Sequence, residues 1–198
     1  MRTNSVSKKE LMNLKIISST DRPNSNALKV SEYVKKLYQK EGADIEVISL
    51  EDFPLEEVVG GRYGKKIPAI EKFREPAINA DGLIFVIPEY NGSFPGILKV
   101  FVDYLPFPEA FEKKPMAFIG ESAGAFGALR SVEQFQMIAN YRNALQFPER
   151  VFIPRVKSEF DEETGLADAF KQKLLQSQVT NFVKFVESVQ KKELDQLV

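Results

Sequence analysis

The run Gly82-Leu-Ile-Phe-Val-Ile87 passes without interruption into Pro88-Glu-Tyr-Asn-Gly-Ser-Phe-Pro-Gly96. From Leu83 to Ile87 every side chain is apolar, and most are β-branched or aromatic, the pattern of a strand buried on both faces of a parallel sheet. Two prolines and two glycines then fall within nine residues. Pro88 cannot donate to a sheet ladder and closes the strand, while Gly92 and Gly96 permit positive φ or close backbone approach. A helix starts at about Pro95, the favoured first helical position, with its free N–H groups pointing back into the loop. A turn of this kind presents many free backbone groups at one point and suits a flat, polar ring. An ordinary strand–turn–helix connection accounts for it equally well.

A strand covered on both faces needs a chain long enough to supply both layers. At 198 residues and 43% hydrophobic content, the chain suits one α/β domain and is short for two. We expect a disordered arm over residues 1–13 and a single domain over 14–198. A net charge of -1 gives no broad attraction for nucleic acid or anionic lipid, so a small or neutral partner is expected. Cysteine and histidine are both absent, which removes disulfides, thiolate and histidine metal sites, and the Ser-His-Asp and Cys-His arrangements. No metal site and no catalytic side chain is expected; any difficult chemistry falls to a bound cofactor. Met1 to Glu10 has no apolar core of signal-peptide length and no run approaches a membrane span, so a cytoplasmic protein is expected.

Strand and helix signals alternate along the chain. Leu14–Ser18 reads as a first strand, and Asn26 to about Glu41 as a helix with Leu28, Val30, Val34, Leu37 and Tyr38 on one side, stopped by Gly42. Ile45–Leu50 reads as a second strand, followed by an irregular stretch containing Gly60-Gly-Arg-Tyr-Gly64. Ile67–Ala77 reads as a helix with Pro68 near its start and Pro76 near its end. After the third strand comes a helix over Ile97–Leu105, then a fourth strand over Met116–Gly120. A helix from Gly127 to about Ala144 is expected to bury Leu129, Val132, Phe135 and Ala139. A fifth strand lies near Arg150–Ile153. A last helix over about Leu166–Lys192 turns Phe170, Leu174, Val179, Phe182, Val183 and Val186 inward. Such alternation gives a doubly wound, flavodoxin-like five-stranded parallel sheet of order 2-1-3-4-5 with helices on both faces, and ligands collect at the switch point between strands 1 and 3.

Three loops leave the carboxyl edge beside that point. Ser18 to Asn26 combines small hydroxyls, one arginine and a helix N-terminus, the parts of a phosphate cradle, although Ser25 or Asn26 as a plain helix cap explains much of it. Asp21 opposes phosphate if it points inward. The loop is neither a Walker loop nor a Gly-x-Gly-x-x-Gly dinucleotide fingerprint. Pro88 to Gly96 is the second loop. The third, Gly120-Glu-Ser-Ala-Gly-Ala-Phe-Gly127, has glycines that could serve a ligand or only close helix–strand packing.

These residues resemble the NADPH-dependent FMN reductases of the flavodoxin-like superfamily, relatives of azo-dye, quinone and chromate reductases. The match rests on Ser19, Arg22 and Ser25, on Pro88-Glu-Tyr-Asn-Gly-Ser-x-Pro-Gly96 with Leu98-Lys99 and Asp103, and on Ser122-x-Gly-x-x-Gly127 with Leu129-Arg130. It spans roughly residues 14 to 155, and the second loop is its most specific part. The resemblance implies that Ser19, Arg22, Ser25 and Asn26 hold the FMN phosphate. Pro88, Glu89, Tyr90, Asn91, Gly92 and Ser93 would wrap the isoalloxazine edge, and Ser122 and Gly124 would approach the ring. Ser18 in place of the usual glycine, Asp21, Tyr104 in place of a frequent tryptophan, and Glu121 depart from the family pattern.

The implied activity is an FMN-dependent NAD(P)H oxidoreductase passing hydride from NADPH or NADH, through FMN, to free flavin, a quinone, an azo compound or a metal oxyanion, with ping-pong kinetics. The implied assembly is a homodimer or a tetramer. A non-enzymatic flavin-binding electron carrier, or an interaction protein on the same fold, is the alternative. The Gly60–Gly64 stretch reads either as a lid over the flavin or as a surface loop. Phe101, Tyr104, Phe107 and Phe111 read either as a dimer interface or as core.

Overall fold

The computed structural model describes residues 11–191, so most of the expected arm, residues 1–10, lies outside them. The chain runs β1 (Asn13–Ser18), α1 (Asn26–Lys40), β2 (Asp44–Ser49), the short α2 (Leu55–Val58), α3 (Pro68–Asn79), β3 (Gly82–Pro88), α4 (Gly96–Asp103) and β4 (Pro115–Glu121). It continues through α5 (Leu129–Tyr141), β5 (Leu145–Ile153), the one-turn α6 (Val156–Glu159), a small antiparallel pair β6 (Phe160–Asp161) and β7 (Gly165–Leu166), and α7 (Ala169–Lys191). The main sheet is parallel throughout, in the order β2-β1-β3-β4-β5. The order expected from the strand–helix alternation is the one observed.

β3 lies at the centre of this sheet, and its pleat sends successive side chains to opposite layers. Leu83, Phe85 and Ile87 face α3, α4 and α5 and join Ile70, Phe101 and Phe135 in one core. Ile84 and Val86 face α1 and α7 and join Val34, Tyr38 and Phe182 in the other. Both layers are buried and apolar, which explains why β3 is apolar at every position from Leu83 to Ile87.

Several boundaries differ from the sequence expectation. Leu50 opens a single 3-10 turn instead of ending β2. Pro95 is the cap of α4, at φ -60° and ψ 142°, and not its first helical residue. Pro76 lies inside α3, which runs on to Asn79. Leu129 is only half-buried. The largest difference is the phase of α7: Phe170 and Leu174 are exposed, and Leu175 and Gln178 take the inward positions. Asp168 accepts from the N–H groups of Phe170 and Lys171, which starts α7 at Ala169 and sets that phase.

Gln178 has a structural task. The β4–β5 register shifts between Met116 and Phe118, opposite Pro148, which cannot donate to a ladder. The Gln178 amide donates to the carbonyls of Phe118 and Glu149, at 3.0 and 2.8 Å, and satisfies groups the irregular ladder leaves over.

Candidate active site

The carboxyl ends of β1, β3 and β4 are adjacent, and their loops frame a cleft of ≈ 630 Å³, within the roughly 300–1,000 Å³ typical of small-ligand sites. The β1–α1 loop contributes Arg22, Asn24, Ser25 and Asn26 to its wall. The β3–α4 loop contributes Pro88, Glu89, Tyr90 and Asn91, the end of β4 contributes Glu121, Ser122 and Ala123, and α6 contributes Lys157.

In the first loop, the Ser25 hydroxyl accepts from the Leu28 N–H at 3.0 Å and caps α1. The capping role therefore holds, and Ser25 also lines the cleft. The other N–H groups of the first turn have no intrahelical acceptor, so α1 presents a partial positive charge to the cavity. Ser19 stands behind this wall: it is fully buried, and its hydroxyl donates to the Ile17 carbonyl at 3.1 Å. Thr20, which sequence reasoning passed over, accepts from the Arg22 N–H and shares a 2.8 Å hydrogen bond with the Tyr90 hydroxyl. Asp21 is exposed and lies off the cleft wall.

The second loop is a tight hairpin turn. Tyr90 and Ser93 exchange both backbone hydrogen bonds, at 2.8 and 3.1 Å, around Asn91 at φ 54° and Gly92 at φ 75°. Two successive positive φ angles are the signature of the type I′ turn, for which Asn-Gly is the preferred pair. Gln134 of α5 fixes the turn from outside, donating to the Gly92 carbonyl at 3.2 Å and accepting from the Ser93 hydroxyl at 2.5 Å. Gly92 and Ser93 are thus the back of the platform, and Pro88 to Asn91 its cleft face.

In the third loop, Gly120 and Gly127 serve packing: a Cβ on Gly127 would lie 2.9 Å from the Ile153 nitrogen, and one on Gly120 would lie 3.1 Å from Val132. Gly124 is different. Its surroundings are open, its carbonyl accepts from the Ser122 hydroxyl and the Arg155 N–H, and it does not line the cleft. Ser122 does line it, with its N–H and carbonyl held by Ile153 and Val156.

Two carboxylates and two cations line the cavity. Glu121 is 5% exposed, and burial pushes its carboxyl up to about 7 against the opposing pull of Arg22. Glu89 lies 3.6 Å from Arg130 through one oxygen, while its other oxygen, Oε2, is buried without a hydrogen-bond partner. Arg22 and Lys157 supply positive charge at the α1 end. Lys157 carried no sequence signal, because a single turn after β5 belongs to no motif and reaches the cleft only through the fold.

These groups fit FMN. The α1 N-terminus with Arg22, Asn24 and Ser25 suits a phosphate. The unpaired Glu89 Oε2, the Tyr90 ring and the hairpin backbone suit the polar edge and face of a ring. The Gly60–Gly64 stretch contributes nothing to this cavity; Tyr63 stacks on Tyr104 instead, 4.8 Å between ring centroids. Of the aromatic series, Phe101, Tyr104 and Phe111 belong to the core, and only Phe107 is exposed.

Comparison with known proteins agrees with the geometry. The family model described as NADPH-dependent FMN reductase matches residues 12–157. An NAD(P)H-dependent FMN reductase of Pseudomonas aeruginosa is 35% identical over 144 residues, covering 70% of this chain and 76% of that protein. An NADPH:quinone oxidoreductase of Arabidopsis thaliana is 31% identical over 160 residues, covering 76% and 79%. The solved structure of an NAD(P)H:(acceptor) oxidoreductase from Paracoccus denitrificans superposes with a TM-score of 0.69 at 21% identity, covering 88% of this chain and 96% of that one, a likeness of fold. With three loops meeting at the switch point and a family match spanning all of them, the chain belongs to the NADPH-dependent FMN reductase family.

Proposed function

We propose that the protein is an FMN-dependent NAD(P)H oxidoreductase that reduces a small acceptor such as a quinone, an azo compound or free flavin. The observation that carries this reading is one cavity lined both by the N-terminus of α1 and by the loop that forms the Tyr90–Ser93 turn. Bound FMN supplies a hydride carrier that needs no side-chain acid or base, which suits a chain without histidine or cysteine. Arg22, Asn24, Ser25 and Asn26 bind the phosphate through charge and free N–H groups. Pro88 to Asn91 orient the ring edge, with Glu89 Oε2 accepting from it, and Ser122 closes the third side.

A single exposed flavin face serves nucleotide and acceptor in turn, so the kinetics are ping-pong. Met137 and Tyr141, 72% and 83% exposed one turn apart on α5, support a homodimer through that helix. Among the described residues no helix is long and apolar enough to cross a membrane. The test is reconstitution with FMN, flavin absorbance after gel filtration, and initial rates with NADPH or NADH against a quinone. Retained flavin and parallel double-reciprocal lines are expected. Colourless protein, or intersecting lines, would overturn the cofactor or the kinetic order respectively.

A further inference from the structure

The turn of the β3–α4 loop is anchored from outside at both of its ends. Tyr90 bonds to Thr20 through its hydroxyl, and Phe94, just past the turn, meets the Phe135 ring of α5 edge-on with 5.8 Å between centroids. Between these anchors, among the described residues, Gln134 is the one side chain from outside the turn that bonds to Asn91, Gly92 or Ser93. Its amide nitrogen donates to the Gly92 carbonyl at 3.2 Å while its amide oxygen accepts from the Ser93 hydroxyl at 2.5 Å. The two bonds together require a group that donates and accepts at once, which a glutamate of the same length does not do.

Gln134 does not itself line the cleft, but what it holds does. Asn91 is part of the cleft wall, and its N–H and carbonyl, with the Gly92 N–H, have no partner among the described residues. The Gly92 carbonyl is taken by Gln134, so these three groups are what the tip of the turn leaves for a ligand. Gln134 is well placed to fix them. Its chain neighbour Phe135 is fully buried against Phe85 of β3 and Phe118 of β4, at 4.7 and 6.2 Å between centroids, so the core of the sheet sets where Gln134 stands.

We propose that Gln134 is a positioning residue for the flavin ring: it pins the tip of the turn to α5, so that the free backbone groups of Asn91 and Gly92 meet the ring in one fixed place. The proposal rests on the reading of the cleft as an FMN site. Gln134 acts on the loop that carries the ring edge and not on the phosphate loop, so its loss weakens FMN and riboflavin by the same factor, unlike the loss of Arg22. A ring held loosely also accepts hydride more slowly, because the transfer depends steeply on alignment.

The experiment is fluorescence titration of the purified apo-protein with FMN and with riboflavin, followed by anaerobic rapid mixing of the FMN-saturated protein with NADPH or NADH. The variants are Gln134→Leu, Gln134→Glu, Ser93→Ala and the double variant Ser93→Ala with Gln134→Leu. Gln134→Leu is expected to weaken both flavins equally, by about fivefold or more, and to slow reduction of the saturated protein. Gln134→Glu keeps the acceptor and loses the donor, and should follow it. Ser93→Ala should lose less, and nothing further once Gln134 is already leucine. An unchanged affinity, an unchanged reduction rate, or a loss confined to FMN would overturn the proposal and leave the flavin site standing. If the wild type itself takes up no flavin, the functional reading fails and the proposal with it.

Discussion

The Arg22 guanidinium lies over the ring of Tyr90, 4.6 Å from its centroid, and so ties the β1–α1 loop to the β3–α4 loop across the mouth of the cleft. Arg22 lines the cleft from the loop that leads into α1, and its value to a ligand depends on whether the ligand carries a phosphate. Arg22→Ala should weaken FMN binding by about ten- to a hundredfold, the equivalent of roughly 1.5–3 kcal/mol for a charge-assisted hydrogen bond. Riboflavin affinity should move by no more than about threefold. Fluorescence titration with both flavins checks this, and equal losses would remove Arg22 from the phosphate site.

Beneath that contact, the Tyr90 hydroxyl meets Thr20 Oγ1 at 2.8 Å, and Thr20 is fully buried. Tyr90→Phe leaves Thr20 without this partner and should cost about 1 kcal/mol, a fall of about 2–4 °C in the thermal midpoint for a chain of this size. The ring under Arg22 survives, so Tyr90→Leu should add a further loss in FMN affinity that Tyr90→Phe does not show. Calorimetric melting of the apo-protein separates the two effects.

What the sequence made legible follows from how local each signal is. The β3 run and its turn are consecutive residues whose chemistry points one way, and the sheet order follows from strands alternating with helices. The type I′ turn is present in the letters Asn91-Gly92, and of the two uses open to Gly92, positive φ or close backbone approach, positive φ is observed. The phase of α7 was not legible, because apolar residues at 170, 174, 175 and 179 support two stripes, and the choice is made by the Asp168 cap and by Gln178 reaching Phe118 and Glu149. Ser19 and Lys157 show the same limit at the site. A hydroxyl in a phosphate-type loop turned to the backbone, and a lysine from a distant turn reached the cleft.

Glu121 also gives a stability signature independent of any ligand. Its carboxyl is raised from 4.5 to about 7 by burial, so between those values the folded state binds more protons than the unfolded chain. Its contribution is therefore most favourable at low pH and is lost as pH rises through that window. Complete loss above pH 7 corresponds to a penalty on the order of 3 kcal/mol. Glu121→Gln should accordingly be more stable than wild type at pH 8 and indistinguishable from it near pH 4.5. Urea unfolding of both proteins at the two pH values measures this; a difference independent of pH would mean that Glu121 is not held as a buried carboxylate.

Gly92 separates conformation from space. Its φ is 75°, and an added Cβ would meet nothing within 4 Å, so a side chain there is opposed by the backbone angle and not by crowding. A left-handed conformation costs an ordinary residue about 1–2 kcal/mol, β-branched residues fare worst, and asparagine is the best tolerated after glycine. Gly92→Val should therefore distort the turn, breaking the Tyr90–Ser93 exchange and loosening Gln134, with a loss of FMN affinity alongside a modest fall in the thermal midpoint. Gly92→Asn carries as many non-hydrogen side-chain atoms or more into the same open space and should keep both close to wild type. The measurements are FMN titration and melting of all three proteins. Equal loss of FMN in Gly92→Asn and Gly92→Val would mean that the side chain itself obstructs the flavin, and that the glycine is there for approach after all.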